Sequence, residues 1–159
     1  MNDATEKRND AEKKTGQPEK NHASGNAGNL QNHASNFDWI TARSSCSLPN
    51  IFKQLRLQIE QDVKTRNSLR PPNSPYEFSL SDNNGGFRVI LKADTLHTAV
   101  AFILAEHAIV IRDNAGTEMF AITLTFTDRG ECKLNVNAEE RDFWQVRRMA
   151  LEELMFRSY

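Results

Sequence analysis

Arg147 occupies a position where an aliphatic side chain is expected. In the last amphipathic stretch of this 159-residue chain, Phe143, Val146, Ala150, Leu151 and Leu154 share one face at about 100° per residue, with Trp144 at its margin. Arg147 falls in the middle of that face, which aims a cation inward. In an earlier helical stretch, Asp62 and Arg66 drift toward the apolar side, about 20° and 60° from Ile51 on the wheel, with Leu55 near 40°. Three charged groups at one seam would suit an anionic ligand, since a guanidinium fork matches a carboxylate or phosphate in two bonds. The plainer alternative is an i,i+4 pair of Asp62 with Arg66, and an Arg147 that reaches solvent or a strand acid.

Cys46 precedes the expected start of the first long helix, where the helix dipole would favour a thiolate, so it is the candidate reactive thiol. Cys132 sits at an inward position of an alternating strand. The two cysteines are far apart and lack metal-ligand spacing, so free thiols in a reducing compartment are expected. His97 and His107 could supply a base to a nucleophile, yet both fall at chain reversals and no spacing brings them together. The chain has no P-loop, GxGxxG, HExxH or CxxC pattern, and no cofactor is implied. Arg141, Arg147 and Arg148 interleave with Phe143 and Trp144 as on a nucleic-acid helix, but Glu139, Glu140, Asp142, Glu152 and Glu153 cancel that charge. With a net charge of -1 there is no electrostatic footprint of a nucleic-acid binder.

The elements that position these groups begin after residue 36. Residues 1–36 carry almost no large apolar side chain and balanced charge, so they are expected to form a disordered polar arm. Within it Asn21-His22-Ala23-Ser24 recurs as Asn32-His33-Ala34-Ser35 without the further ligands a metal site needs, which suits a tether. Residues 37–159 are expected to form a single α+β domain. Phe37 to Arg43 has the aromatic and β-branched start of a short strand. Ser47 caps a helix with Pro49 in its first turn, running to about Asn67 with Leu48, Ile51, Phe52, Leu55, Ile59 and Val63 on one face. Arg70-Pro71-Pro72 ends it.

Five or six strands then alternate between short turns at residues 82–86, 113–116 and 128–130, with either a reversal or a bulge at Ala105–His107. Such short connections require antiparallel pairing. Asn137 followed by Glu140 reads as a capping box opening a helix that runs to Phe156. The expected fold is α+β: an antiparallel meander with the N-terminal helix and the long C-terminal helix packed on one face. The order strand, helix, strands, long final helix is similar to that of helix-grip ligand-binding domains, with a short first strand near residues 37–43; no motif accompanies that order.

Two functions are compatible with this reading. The first is a small non-enzymatic interaction module that meets a protein partner or itself through the sheet, at an edge or at the face bearing Thr123, Thr125 and Thr127. The second is a small-ligand binder holding an anionic or amphipathic molecule between the final helix and the sheet, anchored by Arg147. No apolar run approaches the ~20 residues that span a bilayer and no secretory leader is recognisable, so a cytoplasmic protein is expected.

Overall fold

Alternation in the middle of the chain resolves into one antiparallel sheet. The computed structural model describes residues 37–94 and 96–157. Residues Asp38–Tyr159 form one compact unit. The expected arm over residues 1–36 lies outside the described residues. Those residues hold three helices, α1 (Trp39–Ser45), α2 (Leu48–Ser68) and α3 (Phe143–Phe156). They also hold seven strands: β1 (Tyr76–Asn83), β2 (Gly86–Ala93), β3 (His97–Leu104), β4 (Ile109–Arg112), β5 (Glu118–Phe126), β6 (Cys132–Val136) and β7 (Glu139–Arg141). The strands lie in sequence order as a meander, each antiparallel to the next.

The register explains the core. Phe78 lies opposite Leu91, Phe87 opposite Phe102, Phe102 opposite Ile111, and Ile122 opposite Val136, so the large side chains share one face. That face packs against Ile51, Leu55, Ile59 and Val63 of α2 and Val146, Ala150, Leu151 and Leu154 of α3. Phe87 and Phe102 stack with ring centroids 4.8 Å apart. Beside them a Cβ on Gly86 would fall 2.0 Å from the Phe102 carbonyl oxygen, so only glycine allows β2 to start so close to β3. The Ala105–His107 segment is a reversal, closed by the Ala105 N–H on the Ala108 carbonyl at 2.9 Å.

Three expectations are corrected. Residues 37–43 contain no strand; Trp39–Ser45 is helical because the Asp38 carboxylate accepts from the Thr41 N–H at 3.0 Å and from its hydroxyl at 2.5 Å. That local cap outweighs the β-propensity of Trp39, Ile40 and Thr41. Without the first strand, the helix-grip order is not met. The C-terminal helix begins at Phe143, not near Asn137. Asn137 and Ala138 take positive φ of 53° and 64°, forming a two-residue hairpin turn that adds β7 and raises the strand count to seven. The helix start is set instead by Asp142, whose N–H donates to the Gln145 side chain at 2.8 Å, a capping box five residues later than expected.

Candidate binding groove between the two long helices

Asp62, Arg66 and Arg147 are brought together. All three line an open groove of about 400 Å³ between the C-terminal half of α2 and α3. Arg147 donates from Nη1 to both oxygens of Asp62, at 2.8 and 2.6 Å, which ties α3 to α2 across 85 positions of sequence. Its side chain is 20% exposed and that of Asp62 36%, so the pair is only partly shielded from water. Arg147 Nε is buried without a hydrogen-bond partner.

Arg66 does not pair with Asp62. Its Nε donates to the Met155 carbonyl at 2.9 Å and its Nη2 to the Tyr76 hydroxyl at 3.2 Å, which leaves Nη1 without either acceptor. Met155 lies in the last turn of α3, whose carbonyls lack intrahelical partners, so a cation from α2 completes the neighbouring helix end. The guanidinium also lies 5.3–5.7 Å from the ring centroids of Phe156, Phe78 and Tyr76. The hydrogen bond from Arg66 is the leading cause that lowers the Tyr76 phenol pKa below its ordinary value. On the rim, Arg148 makes a two-bonded pair with Glu152 at 2.9 and 3.0 Å.

Apolar walls surround these charges. Leu151 and Met155 are buried beneath the groove, while Leu69, Trp144 and Phe156 stand at 71%, 53% and 69% exposure around it. Three large exposed apolar side chains line this one cleft, with Trp144 in the first turn of α3 and Phe156 in its last, and their further burial would be favourable.

Cys46 is not a reactive thiol. It is bonded to Cys132, with Cα atoms 5.4 Å apart. The free-thiol expectation fails because Cys46, at the α1–α2 junction, lies against the inward position of β6 that Cys132 occupies. Cys132 is indeed inward, half-buried and packed against the core. Neither cysteine is a free thiol beside His107, which lines a cleft with Cys46. His97 begins β3 and His107 follows its end; both are exposed. Arg141 pairs with Glu139. No cluster of three or more metal-ligating side chains occurs among the described residues.

Sequence reasoning missed Asn67. Its carboxamide donates to the Phe78 carbonyl at 2.7 Å and accepts from the Phe78 N–H at 3.0 Å, standing in for an absent neighbouring strand on the β1 edge. Arg70 binds the Tyr76 carbonyl on the same edge. The outer strand on the other side, β7, is three charged residues long. The first half of the β1 edge and the short, charged β7 are thus guarded against added strands.

No family model matches this chain, and no curated protein or solved structure matches it. Its functional reading therefore rests on the groove's own chemistry.

Proposed function

We propose that the protein is a non-enzymatic interaction module whose recognition site is the α2–α3 groove, and that it takes an apolar segment of a protein partner bearing one acid. The observation that carries this is the exposure of Leu69, Trp144 and Phe156 around a single cleft in which Arg147 and Arg148 are paired with Asp62 and Glu152, while Arg66 is held by a carbonyl and a phenol. An exposed tryptophan is a common binding anchor, and a groove between two helices suits an amphipathic segment. The guarded edge segments favour this groove over the sheet edge, and the opposite sheet face presents exposed Thr123 and Thr125.

A second reading is an amphipathic anion bound in the same groove. Its size falls within the ~300–1,000 Å³ of small-molecule sites, and Arg147 Nε lacks an acceptor. That ligand would lie between α2 and α3, since Val146, Ala150 and Leu154 fill the seam between α3 and the sheet.

The Cys46–Cys132 bond supports an oxidising compartment rather than the cytoplasm. No helix of the described residues is long and apolar enough to cross a membrane.

Native mass spectrometry of full-length protein recovered from its native lysate tests the reading. A protein partner retained by the wild type and lost from a folded Trp144→Ala variant is the expected result. Equal retention by the variant would remove the groove from consideration, and a small-molecule adduct in place of a protein would select the second reading.

A further inference from the structure

Helix α1 has the properties of a ligand rather than of a core element. None of its seven residues is buried, and Trp39 and Ile40 are each 61% exposed. A helix this short does not persist in water on propensity alone. Here it is held by the Asp38 cap, by Arg43 at 5.8 Å from the Phe126 ring, and by the Cys46 disulfide directly after it. The fold therefore presents two large apolar side chains to solvent on a covalently fastened stub, next to the exposed carboxylate of Asp38.

The α2–α3 groove is complementary to that stub. Its apolar rim, with Trp144 at one end and Phe156 at the other, offers Trp39 and Ile40 apolar surface to cover. Its charged lining has Arg66, Arg147 and Arg148 against Asp62 and Glu152, one positive charge in excess, which fits Asp38. The hydrogen bonds from Thr41, the side-chain one foremost, lower the Asp38 pKa and so favour its carboxylate form.

The contact is not made within one chain, since no residue of α1 lines the groove and Trp39 and Ile40 stand exposed. From Leu48, Asp62 is fourteen residues further along α2, about 21 Å at 1.5 Å per residue, and the rest of the groove lies beyond it. Helix α1 is only about 10 Å long. It is joined to α2 through Cys46 and Ser47, and Cys46 is fixed to the sheet. We infer that the groove is occupied by α1 of a second copy, which presents Asp38, Trp39 and Ile40. This rests on the groove being the recognition site. One such contact engages few residues and would be weak; two copies exchanging α1 reciprocally would double it, whereas a one-way exchange would propagate head to tail.

The test is sedimentation velocity on the oxidised full-length protein from about 1 µM to about 200 µM, with Trp39→Ala, Trp144→Ala and an equimolar mixture of the two. The wild type is expected to associate as concentration rises, and each variant to weaken association by about tenfold or more. The mixture should recover a heterologous complex, because one variant keeps its groove and the other keeps its α1. Both tryptophans are over half exposed, and Ile40→Ala with Phe156→Ala repeats the design on neighbouring side chains if either variant melts early. A monomeric wild type, undiminished association of Trp144→Ala, or a mixture no better than its components would each overturn the inference. If the wild type stays monomeric yet a foreign segment still binds the groove and is lost with Trp144→Ala, the partner is different and the groove reading survives. If neither a second copy nor a foreign segment binds, both readings fail.

Discussion

The two ends of α2 are fastened by opposite means. At its N-terminus a covalent bond ties Cys46 to Cys132, and the preceding α1 buries nothing. At its C-terminus there is no covalent tie, and four side chains share the work: Asp62 holds Arg147, Arg66 holds Met155 and Tyr76, Asn67 holds Phe78, and Arg70 holds Tyr76. A disulfide is all or none and depends on redox potential. A set of partly exposed hydrogen bonds can be weakened one at a time, each worth about 0.5–1.5 kcal/mol net. The difference assigns rigidity to the end that presents α1 and adjustability to the end that carries the groove.

The largest effect should come from breaking the covalent end. The bond closes a loop of 86 residues, for which the chain-entropy account gives about 4–5 kcal/mol. Cys46→Ser with Cys132→Ser, or reduction of the wild type, should lower the urea midpoint substantially and release α1 first. An unchanged midpoint under reducing conditions would mean that packing of Ile51 and Leu55, not the bond, holds that end.

A smaller and more local loss should follow at the other end from Asn67→Ala. It leaves the Phe78 N–H and carbonyl without the partners that Asn67 supplied, at a cost of about 1–3 kcal/mol. Hydrogen exchange at the Phe78 amide should accelerate in this variant. Equal protection of that amide in both proteins would show that the β1 edge is satisfied by something other than Asn67.

The contrast between the ends also marks where the sequence was readable. Helix α2 was expected to reach about Asn67 and ends at Ser68, because apolar spacing, the early proline and the Pro71-Pro72 stop all agree. The meander was legible because alternation and Gly-containing turns recur. Arg147, Asp62 and Arg66 stood out because charges on apolar faces break a period. Their partners did not, since Arg147 and Asp62 meet across 85 positions and Cys46 and Cys132 across 86. Pairings that distant depend on the register of the whole sheet, which no local pattern reports. Helix α1 and the late start of α3 were misread for local reasons: the Asp38 cap overrode strand-forming residues, and Ala138 adopts a positive φ that its side chain does not advertise. Asn67 was hidden because an asparagine near a helix end reads as a terminator, whereas here it also completes a strand edge.

The smallest effect is spectroscopic, and it isolates the polar end. Arg66 donates to the Tyr76 hydroxyl and stabilises the phenolate, so the Tyr76 pKa lies below the ordinary phenol value. An acid whose pKa is lowered on folding contributes stability above its unfolded pKa and loses that contribution as pH falls through the folded one. The Tyr76–Arg66 linkage therefore grows as pH rises into the phenol range and is lost as pH falls. Arg66→Met should move the Tyr76 ionisation to higher pH, followed by phenolate absorbance and assigned by its disappearance in Tyr76→Phe. The stability gap between wild type and Arg66→Met should widen with alkalinity. Replacing both cysteines should leave the titration in place while the protein remains folded. A Tyr76 titration that shifts with the disulfide would mean that the two ends of α2 are coupled through the helix, and that the covalent end sets the geometry of the groove as well.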